Sequence, residues 1–494
     1  MKEFIKIHEE DNVVVALTDL EPGTILTVDE KETVTVRTKV PAGHKMAIRA
    51  IAQGEGVIKY GARIGHAKEA INAGEWVHVH NLATNLGELL DYEYQPAAAP
   101  TFQARKADFM GFVRADGSVG IRNEIWIIPT VGCVNSIATA LAKKANRLVH
   151  GSVGEVIAFP HPYGCSQMGE DQEHTRQILA DLIRHPNAGG VLVLGLGCEN
   201  SGIPVLKEYL GAYDESRVRF LVCQEVEDEM AEGERLLGEL IEKAASCERE
   251  RVDASKLIVG MKCGGSDGFS GITANPLVGR FSDLLISAGG TTILTEVPEM
   301  FGAETLLMNR CENEALFEKT VSLINGFKEY YQKNGQTIYE NPSPGNKAGG
   351  ISTLEDKSLG CTQKSGSAMV RGVLSYGQQA CEKGLNLLSA PGNDLVAATA
   401  LAASGAQLLL FTTGRGTPFA SPVPTVKISS NSALADKKKR WIDFDAGVLL
   451  QDREPGELGE KLFEYVLEVA SGKQVCSEVA GFHDMAIFKQ GVTL

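Results

Sequence analysis

The stretch AGGVLVLGLGCEN, Ala188 to Asn200, decides how the chain is read. An unbroken apolar run that ends in a glycine-bearing turn is the pattern of a parallel strand buried on both faces. IWIIPTV (Ile125–Val131), GEVIAFP (Gly154–Pro160) and VRFLVCQ (Val218–Gln224) repeat it around this run. Helical stretches, NSIATALAKKANRL and DQEHTRQILADLIRH, lie between them. Strand and helix in alternation predict an α/β unit with a mainly parallel sheet over residues 110–250. A second series, KLIVGMKCGG, TTILTEVP, LNLLSAPG and QLLLFTTGRG, predicts another over 255–494. Ligand crevices of open parallel sheets lie at the carboxyl ends of strands, so KCGGSDG, SAPGND and TTGRGTP are expected to rim one site.

Upstream the period changes. NVVVALTDL, ETVTVRTKV, KMAIRAIA and EWVHVHNL are short alternating segments punctuated by Gly and Pro, which predicts a small all-β module over 1–95. The Ala/Pro-rich residues 96–109 read as a linker without hydrophobic period. A chain of 494 residues is too long for one core, in keeping with this division.

The net charge of −15 argues against nucleic acid or an anionic membrane as partner. No signal peptide and no membrane-length apolar run is read, so a cytoplasmic protein is expected. The ten cysteines include no CxxC pair, and reduced thiols are expected rather than disulfides. Five adjoin glycine: Cys133, Cys165, Cys198, Cys263 and Cys361. Flanking glycine suits a thiolate that approaches a metal from a tight turn. The glycine fingerprint of dinucleotide binding, the P-loop, HExxH and GxSxG are all missing.

KCGGSDGFSGITANP (Lys262–Pro276) gathers a thiol, a carboxylate, hydroxyls and an amide at a strand end, a ligand-binding loop with Ser266, Asp267 and Asn275 as candidates. The 28-residue YENPSPGNKAGGISTLEDKSLGCTQKSG (Tyr339–Gly366) has almost no hydrophobic period, which marks a functional loop. Arg415 stands between two glycines and Lys427 follows on the next strand, both suited to holding a carboxylate. His78 and His80 fall on one face of a strand, as two ligands of one metal, two contacts to one polyol, or a solvated edge.

These words resemble one family. GHKMAI, HVHN, GIRNE, PTVGCVN, YGCSQ, CGGSDGFSGITANP, TEVPEMFGAE, ENPSPGNKAGGISTLEDKSLGCTQK, TTGRGTP and WIDFDAG look like the altronate and galactarate dehydratases, and HVHN and GCTQK are nearer the altronate branch. TPFASP departs slightly from the family wording after that loop. The resemblance implies a β-clip (SAF-like) N-terminal module, a middle domain used for homodimerisation and a Rossmann-like last domain. It also implies Fe²⁺, with Mn²⁺ as a substitute, and dehydration of a sugar acid. For D-altronate the product is 2-dehydro-3-deoxy-D-gluconate.

The chemistry then sets the roles. A base takes the weakly acidic C2 proton, cations or a metal stabilise the enediolate, and an acid helps the C3 hydroxyl leave. Lys357 or Lys364 is the expected base, Asp267 and Asp394 the carboxylates, and Arg415 and Lys427 the grip on the substrate carboxylate. Cys165, Cys198 and Cys263 are the expected metal ligands, a set that also admits an iron–sulfur cluster with one open iron. Mononuclear iron held by carboxylates and His161 is the competing picture. His78 and His80 would reach the site as the N-terminal module closes. An NAD-linked sugar-acid oxidoreductase and a non-enzymatic sensor are the readings from other classes, the first set against the missing glycine fingerprint.

Overall fold

The structure, a computed structural model, describes residues 2–29, 32–87, 89–451 and 454–494. The N-terminal module is strand and turn, as its alternation predicts. Phe4–Ile5, Val13–Ala16, Lys45–Ala47 and Trp76–Val77 form an antiparallel sheet. Gly56–Lys59, Ala62–Ala67 and Leu82–Ala83 form a second, and Ile25–Asp29 pairs with Glu32–Thr35 in a hairpin. Alternate residues of Val13–Ala16 serve two cores: Val13 packs with Val57 and Ile64, Val14 and Ala16 with Leu26 and Val40.

The histidine pair departs from the strand reading. The strand ends at Val77, and Asn81 and Leu82 both donate backbone N–H to the His78 carbonyl. Asn81 accepts from His78 N and donates to Trp76 O, both at 2.9 Å, so its side chain replaces the ladder and closes a turn. His78 is buried and His80 exposed, and they share no strand face.

Neither the linker nor the residues just before it are loose. Tyr92, Tyr94 and Phe102 pack on the C-terminal core, Tyr94 Oη donates to Cys311 O at 2.6 Å, and Ala97 N donates to Asn309 O. Spaced aromatics strap this segment down without a helical or strand period.

The middle domain is the expected α/β unit: β1 (Glu124–Pro129), α1 (Asn135–Ala145), β2 (Val156–Ala158), α2 (Gly169–Arg184), β3 (Ala188–Gly195), α3 (Ile203–Leu210), β4 (Val218–Val222) and α4 (Glu229–Ala245). The sheet runs β2-β1-β3-β4, all parallel. Every residue of β3 is buried, as AGGVLVLG requires. A small antiparallel sheet of Asp108–Val113, Val119–Gly120 and Glu250–Asp253 holds the chain where it enters and leaves this unit.

The C-terminal domain holds β5 (Ile258–Cys263), α5 (Ala274–Ser287), β6 (Thr291–Leu294), α6 (Leu354–Cys361), β7 (Val370–Leu374), β8 (Gly384–Leu388), α7 (Asp394–Ala403), β9 (Leu408–Thr413), β10 (Thr425–Ser429) and β11 (Phe444–Asp445). Its parallel seven-stranded sheet runs β7-β8-β6-β5-β9-β10-β11. The order reverses at β5, and such a reversal opens a crevice at the carboxyl end. Trp126, Ile178, Leu388, Ala397 and Leu409 belong to one core, so α2 and α7 join the two sheets through shared apolar packing.

The segment Tyr339–Gly366, expected as a functional loop for want of hydrophobic period, is partly helical. Pro344–Ala348 forms a helical turn capped by Ser343, and α6 follows, capped by Thr353. Every residue of α6 is buried although four of its eight are polar or charged. Periodicity fails there because ion pairs, not apolar contacts, satisfy the helix's faces. Among the described residues, no helix is long and apolar enough to cross a membrane.

Candidate functional site

Cys263 is the last residue of β5, at the strand-order reversal. Beyond β6 the chain turns through Glu296, whose φ of 66° is left-handed. A non-glycine residue there stores about 1–3 kcal/mol of strain, the kind of outlier that accumulates at functional positions. The turn brings Glu296 Oε2 to the Cys263 N–H at 2.8 Å and Glu299 Oε2 to 3.0 Å from Cys263 Sγ. α6 supplies the facing wall. Lys357 and Cys361, four residues apart, share a face of α6. Lys357 Nζ pairs with Glu299 Oε1 at 2.7 Å, and Cys361 Sγ lies 3.3 Å from Glu299 Oε2 and 3.5 Å from Cys263 Sγ. Lys364 Nζ donates to Cys263 Sγ at 3.1 Å. Lys262 extends the network, 3.1 Å from Glu296 and 2.6 Å from Asp394 Oδ1. Apart from Asp394, which is partly exposed, all of these side chains are buried.

Burial on its own would neutralise these groups; their partners keep several of them charged. Burial opposes ionisation of Lys357 and Lys364, but Glu299 beside the first and Cys263 beside the second hold both ammonium groups above the ordinary lysine range. Burial likewise pushes Glu299 up, and Lys357 and Lys364 override it, bringing the carboxyl down to about 2. Glu296, raised by burial and then by Glu299, sits well above the carboxylate range. The hydrogen bond with Cys361 drives the two thiols apart, Cys263 down and Cys361 up.

The N-terminal module closes the site's outer side. Asp356 Oδ2 accepts from Lys45 Nζ at 2.8 Å and Oδ1 from Lys59 Nζ at 2.9 Å, all three side chains being buried. Lys45 Nζ also donates to Gly350 O at 2.8 Å. Gly268 cannot carry a side chain because Gly43 O would lie 1.9 Å from its Cβ. His78 Nδ1 lies 3.1 Å from Ser352 Oγ, its ring stacked on Trp76 and edge-on to His44. Burial brings His78 down to about 3, so it is a neutral imidazole. A cavity of about 10 Å³ remains, lined by Lys59, Tyr60, Ser266, Asp267, Asn275 and Lys357, enough for about one water. A cavity of about 670 Å³ lies elsewhere, among His174, Tyr330, Tyr376 and Phe488.

The structure gathers some of the expected site residues and disperses others. Cys263, Lys357, Lys364 and Asp394 stand in one network. Ser266 is buried beside them with its hydroxyl unpartnered, and Asn275 is engaged in stitching, accepting from Thr412 Oγ1 and donating to Gly360 O. Asp267 accepts from Ser270, Ser430 and Asn431, which makes it a clasp between loops. Arg415 is exposed beside Gly345. Lys427 is buried against Asp443, and burial lowers it to about 8. His80 is exposed and tilted on Trp76.

The four expected metal ligands do not form one set. His161 Nε2 faces Pro129 O at 2.8 Å and Nδ1 accepts from Tyr163 N, so both ring nitrogens are used in holding a turn. Cys165 and Cys198 are exposed at the edge of the middle sheet, whereas Cys263 is buried in the other domain. Cys263, Glu299 and Cys361, with ligand atoms all within 4.8 Å of one another, could hold a metal ion. Two cysteine sulfurs, the Cys361 thiol losing its proton on binding, and a carboxylate would fit a thiophilic divalent ion. Sequence reading missed Glu296, Glu299 and Lys262; TEVPEM offers two carboxylates three residues apart directly after a strand, a signal it did not use.

Three ammonium groups, two carboxylates and two thiols, buried together where a parallel sheet reverses, define an enzyme with an acid–base or metal centre. The chain belongs to the galactarate/altronate dehydratase family. Residues 2–85 match the altronate/galactarate dehydratase SAF domain, 111–245 the second domain of D-galactarate dehydratase/altronate hydrolase, and 254–493 the C-terminal domain of D-galactarate/altronate dehydratase. It is 54% identical to altronate dehydratase of Escherichia coli and 54% identical to that of Bacillus subtilis, each match covering 100% of both chains. Galactarate dehydratase (L-threo-forming) of E. coli is 35% identical over 98% of this chain and 96% of its own.

Proposed function

We propose that the chain is a hydro-lyase that converts D-altronate to 2-dehydro-3-deoxy-D-gluconate and water. The observation that carries the substrate is the 54% identity, end to end, with two altronate dehydratases, against 35% with the galactarate enzyme. The buried cluster supports the reaction type. Lys357 and Lys364 bring two ammonium groups to one point, where they offset the charge that builds on the substrate carboxylate as C2 loses its proton. Lys357 is fixed by Asn341 and Asn346 and suits orientation and proton donation to the departing C3 hydroxyl. Lys364 is the base candidate once it has given up its own proton, and taking up the C2 proton returns it to the ammonium form that offsets the developing charge. Divalent iron, or manganese, held by Cys263, Glu299 and Cys361 would supply Lewis-acid charge and offset the anions that keep both lysines protonated.

A hexonate needs more room than 10 Å³, so access requires the segment 341–350, tied to Lys357 through Asn341 and Asn346, to move. His78 and His80 then stand at the rim as part of the lid. The last domain is read as Rossmann-like, supported by the reversal at β5. A homodimer through the middle domain and cytoplasmic residence complete the proposal, and sedimentation of the purified chain tests the first.

The test is turnover. Reduced, iron-loaded protein given D-altronate, galactarate and other hexonates is assayed for 2-keto-3-deoxy acid. Altronate is expected to have the highest kcat/KM. A galactarate preference would move the chain to the other branch, and no product from any acid would overturn the hydro-lyase reading.

A further inference from the structure

Three thiols outside the Cys263 network meet at one edge of the middle sheet. β2, β1 and β3 are consecutive neighbours, and each runs into a glycine-bearing turn with one cysteine: Cys133 after β1, Cys165 after β2, Cys198 after β3. Parallel strands end on the same side, so the three turns share the carboxyl edge. The turns are laced together. Gly132 N donates to Tyr163 O at 2.9 Å, and Ser201 N donates to Gly164 O at 3.0 Å. A Cβ on Gly164 would stand 1.9 Å from Thr130 O, so the second turn sits directly against the first. Cys165 Sγ lies 3.5 Å from Asn200 Oδ1, on the turn that carries Cys198.

The turns also show the marks of a site. All three cysteines are exposed and unbridged, whereas a structural cysteine is ordinarily buried. Ser166 takes a left-handed φ of 61° next to Cys165, at a cost of about 1–3 kcal/mol. Ser201, fully buried three residues after Cys198, has no hydrogen-bond partner for its hydroxyl. Gln224 Nε2 lies 3.9 Å from Cys198 Sγ, placing an amide donor beside a sulfur.

We propose that Cys133, Cys165 and Cys198 bind an iron–sulfur cluster on this edge. A single tetrahedral ion has metal–sulfur bonds of about 2.3 Å and needs its thiolates drawn together. Among the described residues these sulfurs are not gathered within 4.8 Å as Cys263, Glu299 and Cys361 are. A cuboidal cluster takes its thiolates at separate corners, and amide donors around it tune its potential. Three thiolates leave one iron without a protein ligand, open to an oxygen donor such as a hydroxy acid. The site does not depend on the buried network or on the dehydratase reading.

The full chain, purified anaerobically and reconstituted with ferric iron, sulfide and a thiol that supplies the two reducing electrons per cluster, is assayed for bound iron, acid-labile sulfide and zinc. About four iron and four sulfide per chain are expected. Cys133→Ser, Cys165→Ser and Cys198→Ser should each lower both at least several-fold, while Cys381→Ser, exposed elsewhere, should not. Circular dichroism confirms that each variant is folded. Iron without sulfide, zinc alone, or a cluster retained in all three variants overturns the proposal. The readout is cluster content rather than turnover, so failure of the altronate reaction leaves this result standing, and the reverse also holds.

Discussion

Lys357, Lys364 and Glu299 show how single side chains define the centre. Lys364→Met removes an ammonium 3.1 Å from Cys263 Sγ and should lower kcat by roughly 10²–10⁴-fold, the range for a proton-transfer group. Lys357→Met leaves Glu299 a buried charge without its 2.7 Å partner, and urea unfolding should show a loss of about 3–5 kcal/mol. Another residue, outside this centre, gives a pH dependence. Glu124 is fully buried with Trp126 Nε1 at 2.8 Å, and burial raises its carboxyl to about 7. Its folded pKa exceeds the unfolded value of about 4.3, so the native state binds the proton more tightly. Stability from this group is complete below about pH 4 and is lost as pH rises through 7. Glu124→Gln should therefore stabilise the fold at pH 8, by at most about 4 kcal/mol, seen as a higher melting temperature, and leave it nearly unchanged at pH 4.

At the scale of elements, α6 decides both the site and the union of the modules. Its Asp356 faces Lys45 and Lys59 while Lys357 and Cys361 face Glu299. Asp356→Asn strands two buried ammonium groups and should cost about 3–5 kcal/mol. Limited proteolysis near residues 85–90 should then release the N-terminal module faster than from the unaltered chain. The strands were legible because unbroken apolar runs such as Ala188–Gly195 have few other interpretations. α6 was not, because a helix whose buried faces are satisfied by ion pairs carries no 3.6-residue apolar signal. The same limit hid Glu296 and Glu299: their importance lies in a left-handed backbone turn that brings them to Cys263, and sequence does not display that turn. Cys263 drew notice as a thiol beside glycines at a strand end, and Lys357 and Lys364 because the stretch Tyr339–Gly366 has almost no hydrophobic period; the structure brings all three into one network. The expected metal set mixed thiols from two sheets because flanking glycine says nothing about which domain a turn faces.

Across the whole molecule, the middle and C-terminal domains share a core that includes Trp126 and Ile178 on one side and Leu388 and Leu409 on the other. Calorimetry should show them unfolding in one transition, with calorimetric and van't Hoff enthalpies agreeing. Two well-separated transitions would mean that this shared packing does not couple them. The chain is thus modular in sequence but less so in stability.

The Lys59–Asp356 pair also sets a timetable for synthesis. The partners are 297 residues apart, so a ribosome adding 5–20 residues per second makes the lysines about 15–60 s before their carboxylate. During that interval Lys45 and Lys59 have no Asp356 with which to pair. Docking begins only when α6 has been made, which fixes the order of assembly: the β-module waits, and the last domain recruits it.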